Sequence, residues 1–75
     1  MEQWFAFRAF NSQTLYGFGT DEQADKYAEH LNQSREINVY GAHPMTTDEA
    51  IELGVDKRDD AFNLDDELRA VADAQ

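Results

Sequence analysis

There is no cysteine in this chain, and Pro44 is its only proline. Without thiols, neither a disulfide nor a thiolate metal centre can brace the fold, so stability has to come from one packed apolar core. Basic side chains are also scarce: six Lys and Arg stand against sixteen Asp and Glu, for a net charge of -10. Such a surface repels nucleic-acid phosphates and anionic membranes, so direct nucleic-acid binding and membrane binding are not expected. Long apolar runs are missing as well. The longest near the start is Trp4 to Phe7, and Met1-Glu2-Gln3 carries no basic cluster ahead of it. Neither a secretory signal peptide nor a membrane span is expected, and a cytoplasmic setting is.

What is present is a single small domain spanning residues 1–75. A chain of this length buries only about 60% of its unfolded surface, which leaves a marginal core. Six of the nine aromatics fall in the first twenty residues. Trp4 to Phe10 and Leu15 to Phe18 read as two strands joined by the polar Asn11-Ser12-Gln13-Thr14, a hairpin over residues 3–18. Thr20 followed by Gln23 is a capping-box pair opening a helix over 21–33, and Ala24, Tyr27, Ala28 and Leu31 form its apolar stripe. Ile37-Asn38-Val39-Tyr40 alternates and predicts a strand over 37–42. Thr46 and Glu49 make a second capping box for a helix over 47–53, closed by Gly54. Residues 55–61 read as a charged loop. Asn63 can cap a last helix over 64–74, with Leu64, Leu68, Val71 and Ala72 on one side.

The order β-β-α-β-α-α defines an α+β fold. A right-handed crossover makes strand 3 parallel to strand 2, which predicts a three-stranded, antiparallel-type sheet of order 2-1-3. The first helix should cover Phe5, Phe7, Ile37 and Val39. The opposite sheet face should carry Trp4, Arg8, Phe10 and Tyr40. An exposed edge of strand 2 or 3 gives room for a homodimer by edge pairing.

Catalytic chemistry finds little to work with. The serines (Ser12, Ser34) sit in predicted turns, and His30 and His43 are the only histidines. No nucleophile, base and orienting group fall into a pattern, so an enzyme is not expected. Asp56 to Glu67 has the length of a calcium loop with acids at positions 1, 5 and 12. Arg58 and Ala61 occupy the positions that need an oxygen ligand and a glycine, so no metal or other cofactor is expected. An aromatic hairpin resembles a base-stacking platform, but such platforms need basic grooves that this sequence does not supply.

The charge itself is graded. Residues 1–20 are neutral, residues 21–47 carry -3, and residues 48–75 carry -7. Asp56, Asp59, Asp60, Asp65, Asp66 and Glu67 place six carboxylates in twelve residues. A domain about 30 Å long matches a stretch of duplex DNA bearing about 18 charges. These six acids, with Trp4 and Tyr40 as aromatic anchors, are the candidate partner-binding residues. The expected activity is binding, without catalysis, to a basic protein surface. Its most concrete form is an inhibitor that replaces nucleic-acid phosphates with carboxylates. In size and charge alone, the chain resembles the small acidic inhibitors of host defence borne by phages and mobile elements. Two other readings stand beside it: a housekeeping adaptor or regulatory domain whose acidity only gives solubility, and a weak metal-binding accessory protein.

Overall fold

The computed structural model describes residues 1–34 and 38–74. Its first two strands, β1 (Gln3–Ala9) and β2 (Thr14–Gly19), form the antiparallel hairpin, with Trp4 opposite Phe18 and Phe7 opposite Leu15. The loop is held by the Ala9 N–H donating to the Gln13 carbonyl at 2.7 Å and by the Gln13 N–H donating to the Asn11 side chain at 3.0 Å. Helix α1 (Asp21–Ser34) follows at once. Its capping box is complete: the Gln23 N–H donates to the Thr20 hydroxyl, and the Gln23 side-chain oxygen accepts from the Thr20 N–H.

Strand β3 (Val39–Pro44) lies antiparallel to β1 on the side away from β2. Phe7 pairs with Ala42 and Ala9 with Val39, so Tyr40 and Gly41 together stand opposite Arg8. This bulge, with Gly41 at φ 126°, brings both Val39 and Ala42 to the core face although they lie three residues apart. Ile37, expected to share that face, lies outside the described residues. Helix α2 (Thr47–Leu53) has the Thr46/Glu49 capping box and ends at Gly54, which adopts φ 63°. A single 3₁₀ turn (Val55–Lys57) leads to β4 (Phe62–Asn63) and then α3 (Leu64–Ala74), whose first turn is capped by the Asn63 side chain accepting from the Asp66 N–H.

The expected three-stranded, antiparallel-type sheet of order 2-1-3 is therefore corrected. The sheet is four-stranded and mixed, in the order β3-β1-β2-β4, because β4 pairs in parallel with β2 and occupies the edge that three strands would leave open. The physical reason is a close approach. Gly17 pairs with Phe62, and a Cβ on Gly17 would stand 2.6 Å from the Phe62 ring and 3.0 Å from Leu64. Absence of side chains at Gly17 and Gly19 leaves a trough on β2 that Phe62 and Leu64 fill.

The sheet has a core on each face. On the first, Phe5, Phe7, Ala9 and Val39 meet Ala24, Tyr27, Ala28 and Leu31 of α1, with Leu64 of α3 alongside. Phe62 completes an aromatic cluster there, 5.1 Å from Tyr27 and 6.2 Å from Phe7 between ring centres. On the second face Met45, Ala50 and Val55 close over Trp4, Ala6 and Tyr16. Helix α2 covers only that part of the face, and Arg8, Phe10 and Tyr40 remain exposed beyond it.

Gly19→Ala places a methyl group 2.9 Å from the Leu64 Cβ, an atom fixed to its backbone. It should lower stability by about 1–3 kcal/mol as an overpacked contact. Gly54→Ala meets no atom within 4 Å and should cost only the left-handed backbone conformation, about 1–2 kcal/mol. Urea unfolding of both variants measures the two effects separately. A Gly19→Ala protein as stable as the parent would show that β2 and α3 do not meet as described.

Candidate functional site: an apolar slot with an acidic rim

The candidate site lies on the second sheet face, where the ends of β1 and β2 meet α2. Trp4 and Phe18 face each other across the hairpin, their ring centres 5.3 Å apart. Met45 follows β3 and is tied down by its N–H donating to the Trp4 carbonyl at 2.9 Å. Together with Ala50 and Ile51 of α2 these residues line a slot of about 280 Å³. Glu2 and Asp56 contribute carboxylates to its lining. Ile51 is 71% exposed, an apolar side chain left in water at the mouth of the slot. Chemically, the slot can take one apolar side chain and hold a neighbouring cation at its acidic lining.

The structure divides the predicted acidic segment. Only Asp56 joins Trp4 at the slot. Asp59 is exposed in the turn between the 3₁₀ segment and β4. Asp60 is engaged by Arg58 through two hydrogen bonds, Nε to Oδ1 at 2.9 Å and an η nitrogen to Oδ2 at 3.1 Å. Hydrogen bonding to Arg58 holds the Asp60 carboxyl below its ordinary range, and the same contact raises the guanidinium. Arg58 also sits 5.0 Å above the Tyr16 ring, fixing it to the second face. Asp65 is paired with Arg69 at 2.7 Å and accepts from the Gln23 side chain, which links the start of α3 to the cap of α1. Asp66 is exposed in the first turn of α3, where its carboxylate complements the helix dipole. Glu67 is half-buried beside Tyr27. Tyr40 is 73% exposed on β3 and packs, ring tilted, against Phe10, away from the slot. The six carboxylates thus run from the second face, around the β4 edge, to the helix layer on the first.

Phe18, Met45, Ala50 and Ile51 escape the sequence reading. The hairpin register pairs Phe18 with Trp4, and Ile51 falls off the buried side of α2, where only Ala50 is buried. An apolar residue off its helix's buried face was the available signal. Among the described residues no group of three or more His, Asp or Glu lies together in a way that could hold a metal ion, and no helix is long and apolar enough to cross a membrane.

The chain matches no family model and no curated protein.

The Tyr27 phenol is pushed up from its ordinary value, first by burial and then by the negative charge of Glu67. Its effect on stability has a definite sign. Above the unfolded pKa of about 10, the unfolded chain releases a proton that the folded chain keeps, so stability falls as pH rises toward the higher folded value. Tyr27→Phe should flatten that alkaline limb in urea melts between pH 9 and pH 11, and an unchanged slope would remove Tyr27 from the account.

Proposed function

We propose that this protein is a non-catalytic binding module that docks a basic protein partner, with the slot at Trp4 as its anchor point. The observation that supports this is the convergence of Trp4, Phe18, Met45 and Ile51 on one apolar opening whose lining also holds Glu2 and Asp56. A segment presenting an apolar side chain beside a Lys or Arg fits both features. Burying that side chain supplies about 1.5–3 kcal/mol, whereas each exposed ion pair supplies at most about 1 kcal/mol. Affinity therefore comes chiefly from the slot, and the net charge of -10 acts by steering a basic partner toward it.

In its most concrete form the partner binds nucleic acid, and the carboxylates occupy the place of phosphates. Exposed Asp48 and Glu52 on α2, with Glu2 and Asp56 at the slot, supply that charge on the face that carries the slot, over a molecule 36 Å in its longest dimension. Duplex DNA of similar length carries on the order of 20 charges. The inhibitor reading requires the partner to release DNA when it binds this protein.

Trp4 is the only tryptophan, so its emission reads the slot directly. Titration with a short lysine–leucine peptide should shift that emission and saturate, and binding should weaken as salt rises. Ile51→Ser should weaken binding about tenfold, corresponding to about 1.4 kcal/mol of lost apolar contact. Asp56→Lys should weaken it several-fold, and Asp59→Lys, away from the slot, less than twofold. A peptide affinity unchanged by both Ile51→Ser and Asp56→Lys would sink the slot as the anchor. A captured partner that holds duplex DNA and this protein together would dismiss phosphate replacement while leaving the slot intact.

A further inference from the structure

The second sheet face has another opening, at the hairpin-loop end, that the acidic slot does not use. It is an open groove of about 960 Å³ whose lining includes Ala6, Arg8, Phe10, Thr14, Tyr40 and His43. Among the described residues, no Asp or Glu lines it. Lys26, Arg58 and Arg69 are each tied to a carboxylate, but among the described residues Arg8 has none within ion-pairing distance. Beside it Phe10 and Tyr40 pack with tilted rings, their centres 4.5 Å apart, while 61% and 73% exposed. The Gly41 bulge sets the direction of Tyr40, and the Phe10 N–H donates to the Asn38 carbonyl at 2.9 Å, which ties the turn that carries Phe10 to the start of β3.

We propose that this groove binds a carboxylate-bearing, aromatic or apolar segment of a protein partner. Arg8 offers a fork of donors that matches a carboxylate, and Phe10 and Tyr40 offer apolar area that is already ordered. The electrostatics select the occupant. A polyanion such as nucleic acid needs a row of cations, and it would meet the field of a protein of charge -10 after passing Arg8 and His43. A segment with one carboxylate gains the local attraction of Arg8 and, with a single charge, meets far less of that opposition. A second copy of this chain, docked symmetrically, would bring two such grooves together, and their described lining holds no acid to pair with Arg8. The groove is independent of the slot at Trp4: the two take opposite charges at opposite ends of β1.

The test uses the intact, isotope-labelled protein and the blocked tripeptide Phe-Asp-Phe, with Phe-Asn-Phe as its neutral counterpart. Amide shifts at Arg8, Phe10, Tyr40 and Gly41 should saturate with the Asp peptide, and the Asn peptide should bind at least fivefold more weakly. Arg8 is exposed, so Arg8→Glu should keep the fold and abolish the response. Equal shifts from both peptides, an undiminished response in Arg8→Glu, or no shift at millimolar peptide would each overturn the proposal. Shifts that grow with protein concentration in the absence of peptide would assign the face to a second copy and overturn it too. Trp4 emission recorded in the same samples should stay unchanged, and a shift in it that parallels the amide shifts would place the peptide in the slot and overturn the proposal.

Discussion

The contact between the bare backbone of Gly17 and the ring of Phe62 is the constraint on which the rest of the molecule depends. It sets β4 against β2, and it places Leu64 in the trough beside Gly19, where α3 begins. From there α3 packs next to α1 on the first face, and Phe62 reaches Tyr27 and Phe7. A single ring therefore ties the last third of the chain to the hairpin and to the first helix. In a domain with a marginal core and no covalent brace, this one contact settles how residues 55–74 return to the sheet.

The same return path determines what becomes of the charge. As a run in the sequence, Asp56 to Glu67 is a block of carboxylates. Folded, it wraps the β4 edge, and its members meet different surroundings. Arg58 and Arg69 take up Asp60 and Asp65, Glu67 is drawn beside Tyr27, and Asp56 lines the slot with Trp4. A charge run read from a sequence is a count. Its meaning depends on which side of a sheet each member reaches.

The parts legible in the sequence were those with a local chemical signature. Thr20 with Gln23 and Thr46 with Glu49 announce helix starts because each pair satisfies its own backbone groups. Ala24, Tyr27, Ala28 and Leu31 announce a buried face by their spacing. Phe62–Asn63 was illegible, since two residues carry no periodicity and their pairing rests on glycines more than forty positions away. The slot was half legible: Trp4 and Asp56 could be named from aromaticity and charge, but Phe18, Met45 and Ile51 join them only through the hairpin register and the placement of α2. Tyr40 is legible as an aromatic anchor, but the bulge that aims it away from the slot leaves no trace beyond Gly41.

The bulge has a further consequence. A sheet ends in two strands, and each outer row of unpaired peptide groups is a template on which other chains can grow into fibres. Here one outer strand is two residues long, and the other is broken by the extra residue at Tyr40–Gly41 and ends on Pro44, which has no N–H to offer. Both borders are thus poor seeds by shape alone. Mutual repulsion between copies is then not the only safeguard against clumping, and a charge of -10 exceeds what that task asks of it.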